Sequence, residues 1–306
     1  MTNKTSSTLA PGIQEPTSDW AAVVEACGDK YAFAAEVGDA EALEAHNLAE
    51  AKQHPDWQLW EKAIVEELKL LREAGTWELV DLPKNVNIVS SKWVFKAKKD
   101  ASGNVVCYKA CLVAQGFSQV PGVDYFNTFA PVAHLASIQT VLVFVGTEDY
   151  KTGQIDIKSA CLNGELTDDE VIYMQQVPGY EIDKGEKVYR LRKSLYGLKQ
   201  AGRRWYQKLV EIMLKLGFGR CESYQAVFYR RCEVMRVLIV VLVHIDDCTI
   251  VGKNQMLVNS FKAEISKYVD ITNMGGLHWI LGIEVHHIRE DKKLLLSKKS
   301  YIESIL

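Results

Sequence analysis

Val237-Leu-Ile-Val-Val-Leu-Val-His-Ile-Asp-Asp-Cys-Thr-Ile-Val-Gly252 is the stretch on which the reading of this chain turns. From Val237 to Ile245 only His244 carries a polar side chain. The run is β-branched, too short to span a bilayer, and suited to a strand buried on both faces. It ends in adjacent carboxylates, Asp246 and Asp247, and a second apolar run, Cys248 to Val251, follows at once. Strand, acidic turn, strand is a hairpin with charge at its tip. Two like charges at a buried hairpin end cost free energy unless something neutralises them, as a divalent cation would. The alternative is an ordinary exposed Asp-Asp turn.

A second acidic site lies upstream, in Gln154-Ile-Asp-Ile-Lys-Ser-Ala-Cys-Leu-Asn-Gly164. Asp156 stands between two isoleucines at the end of a strand-like run. Hard cations such as Mg²⁺ take oxygen ligands, commonly one or two carboxylates plus substrate phosphates. Asp156 and Asp246 on neighbouring strands would meet that need; otherwise Asp156 is a helix cap or a turn residue.

The 306 residues are 48% hydrophobic, enough for one or two substantial cores. No apolar run is long enough for a membrane-spanning helix, and the first residues carry no signal-peptide core. Seven cysteines are scattered singly, which argues against a zinc site or a disulfide framework and fits a reducing, intracellular compartment. Net charge is −3, an unpromising value for a protein that handles nucleic acid. The distribution resolves it: residues 1–75 carry net −8 and residues 76–306 net +5. Between Lys184 and Lys208 there are nine Lys or Arg and one acid, Glu186. Such a stripe is either a solvated face or a phosphate track.

Residues 1–52 are acidic, with no sustained apolar period, and read as a flexible linker with a loose helix over 39–52. Trp57, Trp60, Ile64, Leu68 and Leu71 form one helical stripe that Gly75 ends. Residues 92–99 and 105–115 alternate as a long hairpin around a five-residue turn. A buried helix is expected near 138–145. Another is expected over 194–216, with its stripe running from Leu198 to Leu216. A third covers 254–270, with Leu257, Phe261, Ile265 and Tyr268 on its core side. A final hairpin is expected from 277–287 and 293–296, and the start of a helix after residue 300.

A set of short segments now falls into order: Thr76-Trp-Glu-Leu-Val-Asp-Leu-Pro83, Ser91-Lys-Trp-Val-Phe-Lys96, Tyr108-Lys-Ala-Cys-Leu-Val-Ala-Gln-Gly-Phe117 and Thr128-Phe-Ala-Pro-Val132. The Asp156 stretch follows, then Ser194-Leu-Tyr-Gly-Leu-Lys-Gln-Ala201, the Asp246-Asp247 hairpin, and Leu281-Gly-Ile-Glu284 with Leu296-Ser297. Over roughly residues 55–306 the chain resembles the reverse transcriptase domain of copia-type long-terminal-repeat retrotransposons. The resemblance implies an α+β right-hand polymerase. Its fingers would occupy about 76–135, its palm about 136–270, and the primer grip and start of a thumb about 271–306.

It also implies RNA-directed DNA synthesis with two Mg²⁺ or Mn²⁺ ions, held by Asp156, Asp246 and Asp247. Asp156 and Asp246 would be the principal ligands, assisted by the Ile157 carbonyl. Lys96 and Lys109 would face the triphosphate, and Tyr196 and Gly197 the incoming base pair. Cys161 occupies the position where the family carries a bulky ring beneath the sugar. Lys199, Arg203 and Arg204 are phosphate contacts by the same resemblance, or solvated helix face. His244, where many relatives have Tyr, contacts the primer end or simply caps its strand. The partners implied are an RNA template, a DNA primer, dNTPs and the protease, integrase and ribonuclease H of a Gag-Pol polyprotein. The implied location is a cytoplasmic virus-like particle or the nucleus, with no membrane. Several positions depart from the family: Cys111 for Arg, Cys161 for Phe, Val177 and Gly202 for Pro, Tyr224 for Asp, and Lys298 for Gln. A decayed, inactive copy and a non-catalytic nucleic-acid-binding module are therefore the competing readings.

Overall fold

The computed structural model describes residues 44–99, 104–182, 186–232, 237–303 and 305. Most of the 1–52 segment, most of the turn at 100–104 and the Lys184 end of the basic stretch lie outside them. The chain begins with helices α1 (Leu48–Gln53) and α2 (Trp57–Glu73) and strands β1 (Trp77–Asp81), β2 (Ile88–Val89), β3 (Ser91–Lys99) and β4 (Val105–Ala114). Helix α3 (Leu135–Glu148) leads to β5 (Lys151–Ile157), and β6 (Tyr173–Met174) and β7 (Lys187–Leu191) precede α4 (Ala201–Lys215). Then come β8 (Gly219–Arg220), β9 (Val227–Cys232), β10 (Val237–His244), β11 (Asp247–Gly252), α5 (Gln255–Ile265) and β12 (Ile271–Gly275). Strands β13 (Trp279–Ile280), β14 (Ile283–Ile288) and β15 (Lys293–Ser297) and helix α6 (Lys299–Glu303) complete the described chain. Helices mixed with largely antiparallel sheets make an α+β fold.

The centre is a six-stranded antiparallel sheet in the order β12-β5-β11-β10-β9-β8. Ile239 to Val243 are all buried. Ile239, Val241 and Val243 join the core beneath α4 and α5, while Val240 and Leu242 face the side of α3. The two-faced burial expected of this run is therefore what the sheet uses it for. Asp156 pairs in register with Asp247, and Ile157 donates its N–H to the Asp246 carbonyl at 2.9 Å. The pair facing across the strands is thus Asp156 with Asp247, and Asp246 occupies the turn. The expected neighbours were Asp156 and Asp246; instead Asp246 falls in the two-residue turn and Asp247 takes the paired position.

A separate core lies under the β3–β4 hairpin. Trp93, Phe95 and Ala97 of β3 and Ala110, Leu112 and Ala114 of β4 are buried against α2, where Trp60, Ile64, Leu68 and Leu71 line the facing stripe. Trp60 meets Phe95 and Tyr108 edge to face at 5.3 and 4.5 Å. That alternation forces Lys96 and Lys109, directly paired in register, onto the other face.

Three expected elements differ. Residues 194–200 are a loop rather than the first turns of a helix, because Gly197 adopts φ +90°. The helix expected over 254–270 ends at Ile265, and Tyr268 is exposed. Its start is sound: the Asn254 side chain accepts from the Leu257 N–H at 3.0 Å. The strand expected over 277–287 is broken between β13 and β14 by Leu281 at φ 50° and Gly282 at φ 71°.

Candidate active site

Asp156 is the penultimate residue of β5 and Asp247 opens β11, so their side chains stand on one face of the sheet at directly opposed cross-strand positions. Between His244 and Asp247 the chain turns in two residues, with positive φ at Ile245 alone, the pattern of a type II′ turn. A β-branched residue is disfavoured there, and such strain, about 1–3 kcal/mol, is retained only where surroundings enforce it. Two bonds enforce it: the Trp205 indole N–H donates to the Ile245 carbonyl at 2.7 Å, and Ile157 holds the Asp246 carbonyl.

Burial pushes the Asp246 carboxyl above the usual range, and the charge of Asp156 adds to the shift; Lys109 and His244 oppose it. Burial also raises Asp247, with Asp246 and Asp156 contributing. The three acids thus feel one another's charge. The same influence reaches the neighbouring side chains. Burial pushes the Cys161 thiol up to about 12, assisted by Asp246. Burial raises Tyr196 too, with Cys161, Asp246, Cys111 and Asp156 adding to it. Asp156, Asp246, Asp247, Cys161, Tyr196 and Lys109 accordingly share one neighbourhood.

Gly197 and Gly116 show why glycine is required in this cleft. A Cβ on Gly197 would overlap the Ala114 carbonyl oxygen, and one on Gly116 would overlap the Gly197 carbonyl. The Ala114 N–H also donates to the Tyr196 carbonyl at 2.8 Å. Backbone therefore lies directly on backbone where the end of β4 meets the 194–200 loop. Cys161, 4% exposed, packs with Leu162, Leu195 and Leu198, and its carbonyl accepts from the Ser194 hydroxyl at 2.5 Å.

The basic stretch divides. Arg204 donates to Glu170 at 2.7 Å, to Thr167 at 2.5 Å and to Gln207 at 3.1 Å; the Arg204 and Glu170 side chains are 13% and 4% exposed. That guanidinium, expected to contact phosphate, is paired with Glu170 here and borders the same cleft as Arg203. Arg190 and Arg192 pair with Glu78, and Lys208 with Glu165 and Glu211. Lys199 is exposed, and Arg203 lines a cleft of about 250 Å³ with Phe126, Asn127 and Asp169, at the start of α4 rather than over the carboxylates. His244 is half-buried, its pKa lowered by burial against the opposing pull of Asp246, and its buried Nδ1 has no hydrogen-bond partner among the described residues.

Sequence reasoning missed four residues. Buried Gln119 and Gln200 bond each other at 3.1 Å, Gln200 donates to the Asp124 carbonyl, and Gln119 accepts from the Lys199 N–H. Asp124 accepts from the Val120 N–H and from Asn87, which also donates to the Ser118 carbonyl. This network fixes the 116–125 loop to the 194–200 loop. Polar residues in loops have no periodic pattern, so only the Lys199-Gln200 segment carried any signal. Trp205 was read as core, with no sign of its bond to the turn.

Two carboxylates paired across the strands, with a third in the adjoining turn, are the donor chemistry of a hard divalent cation. Among the described residues no three His, Cys, Asp or Glu side chains are gathered into a ligating cluster. The burial that raises Asp246 and Asp247 would make a cation favourable beside them.

A family model described as Reverse transcriptase (RNA-dependent DNA polymerase) matches residues 74–306. The chain is 39% identical over 264 residues to the Retrovirus-related Pol polyprotein from transposon TNT 1-94 of Nicotiana tabacum, covering 86% of this chain and 20% of that protein. It is 36% identical over 249 residues to those from transposons RE1 and RE2 of Arabidopsis thaliana, covering 81% of this chain and 17% of each. The chain therefore spans about a fifth of the length of the curated relatives it matches. A match that runs from the end of α2 to the last residue leaves no other assignment: the chain belongs to the reverse transcriptase (RNA-dependent DNA polymerase) family, of the copia type.

Proposed function

We propose that this chain is an RNA-directed DNA polymerase that joins dNTPs to a primer 3′-hydroxyl. The reading rests on the cross-strand pairing of Asp156 with Asp247 at a turn that also carries Asp246, within the electrostatic reach of Lys109. Asp156, Asp246 and Asp247 would hold two divalent ions, Mg²⁺ or Mn²⁺, with the Ile157 carbonyl as a further oxygen. Bound there, such ions would supply positive charge for the attacking primer oxygen and the leaving pyrophosphate. Lys96 and Lys109 give the triphosphate a cationic wall. Tyr196 and Gly197 border the base pair, and Cys161 lies beneath the sugar. Lys199 and Arg203 take template or primer phosphates, and His244 meets the primer end.

In this reading the β3–β4 hairpin belongs to fingers at about 76–135, and the six-stranded sheet to a palm at about 136–270. The β13–β15 sheet belongs to the primer grip and thumb start at about 271–306, and residues 1–52 link the module to its polyprotein. RNA template, DNA primer and the polyprotein's protease, integrase and ribonuclease H are its partners, in a virus-like particle or the nucleus. Among the described residues no helix is long and apolar enough to cross a membrane.

Primer extension on a homopolymer RNA template with Mg²⁺ or Mn²⁺ tests the proposal. Incorporation by the wild type and none by Asp156→Asn is the expected result. One observation bears on a decayed copy instead. Glu67 is half-buried beside Cys111, its pKa raised by burial against the opposing Leu112 N–H and Lys109 charge, where the family's Arg would add a second counter-charge. A wild type that incorporates nothing until Cys111→Arg restores activity would establish that second reading.

A further inference from the structure

The two segments that bear the carboxylates both meet one residue, Trp205, to which the proposed function gives no role. Trp205 is 1% exposed on the second turn of α4. Its indole N–H donates to the carbonyl of Ile245, the residue forced to φ 59° in the acidic turn. Its backbone abuts the segment that follows Asp156: a Cβ on Gly164 would stand 2.8 Å from the Trp205 nitrogen. Ser159, just beyond Asp156, also has positive φ, at 49°. The backbone is thus bent unfavourably on both sides of the site, and α4 lies against both bends.

We infer that Trp205 is a positioning residue, whose indole N–H holds the Asp246-Asp247 turn in the conformation that presents its carboxylates beside Asp156. Without that bond the Ile245 carbonyl loses its donor, and the Ile157–Asp246 bond and the strand pairing are left to hold the turn against the residue's preference for negative φ. The catalytic consequence rests on the polymerase reading; the structural one does not.

The test uses the full chain with Trp205→Phe, which keeps the ring and removes the donor, Ile245→Gly, and both together. Two quantities are read: single-nucleotide incorporation at saturating dNTP, and amide hydrogen exchange by mass spectrometry without metal or substrate. Trp205→Phe should slow incorporation about tenfold, with KM for dNTP changed less than about twofold. It should speed exchange in peptides spanning 240–250 and leave those spanning 206–216 unchanged. Glycine adopts positive φ without cost, so Ile245→Gly should recover most of the exchange protection lost in Trp205→Phe. Wild-type exchange at 240–250 in Trp205→Phe would overturn the inference. So would loss spread equally over 206–216, which marks a packing role, or an absence of rescue by glycine. A wild type that incorporates nothing sinks the polymerase reading, and the exchange arm alone then decides on Trp205.

Discussion

Arg203 and Arg204 are neighbours in sequence, yet replacing each with Met should do opposite things. Arg204 makes three side-chain hydrogen bonds, and its ion-pair partner Glu170 is 4% exposed. Arg204→Met strands a buried carboxylate, which typically costs about 3–5 kcal/mol. For a domain of this size each kcal/mol moves Tm by roughly 2–4 °C, so a fall of roughly 6–20 °C is expected. Adding Glu170→Leu should return most of it, because an apolar pair of similar volume is nearly neutral. Arg203→Met should leave Tm within about 2 °C and reduce the slope of log affinity for template–primer against log salt by about 0.9. Calorimetry and fluorescence-anisotropy titrations at several salt concentrations measure both. The reasoning fails if Arg204→Met flattens the salt slope while Tm stays put, since the guanidinium would then be facing phosphate.

Further expectations follow from the cleft. Asp246→Asn should abolish incorporation yet raise the Tm of the metal-free protein at neutral pH. The folded pKa of Asp246 is raised, so stability is greatest below the unfolded value and is lost as pH rises through the folded one. The advantage of Asn should therefore shrink as pH falls, in Tm measurements with a chelator. Gly197→Ala meets both a φ of +90° and the Ala114 carbonyl, and should cost more than about 2 kcal/mol. Gly75→Ala, at φ +64° with open space around it, should cost about 1 kcal/mol; equal losses in urea titrations would show that the backbone contact is unimportant. Cys161→Phe should raise discrimination against ribonucleotides at least tenfold, about 1.4 kcal/mol, if the side chain lies under the sugar. Unchanged discrimination with a destabilisation of about 1–3 kcal/mol would make Cys161 a packing residue only.

The carboxylate hairpin was legible because a run buried on both faces leaves one place for charge, its tip. Which aspartate pairs with Asp156 was not legible. That goes with a two-residue turn in which Ile245 accepts a conformation its own chemistry disfavours, and the indole bonded to it, Trp205, is forty positions away. The 194–200 loop was mistaken for helix because Leu198 continues the apolar stripe of α4; only the contact with Ala114 reveals why Gly197 bends there. The basic stretch looked like one surface because its counter-charges, Glu78 and Glu170, lie elsewhere in the sequence. Gln119 and Gln200 carry no apolar period, so nothing in the sequence marks them as buried.

The order of strands in the central sheet also sets a schedule. Asp156 waits for a partner about ninety residues further on, and β5 gains its other neighbour only at Ile271–Gly275. Loop closures of that length are slow, so contacts within the β3–β4 hairpin and α2 should form long before the sheet is complete. During synthesis β5 would leave the ribosome with both of its edges unpaired, which is the state most open to mispairing with another chain. A nascent chain stopped before about residue 275 would possess two of its cores and all three acids, and still lack a finished catalytic face.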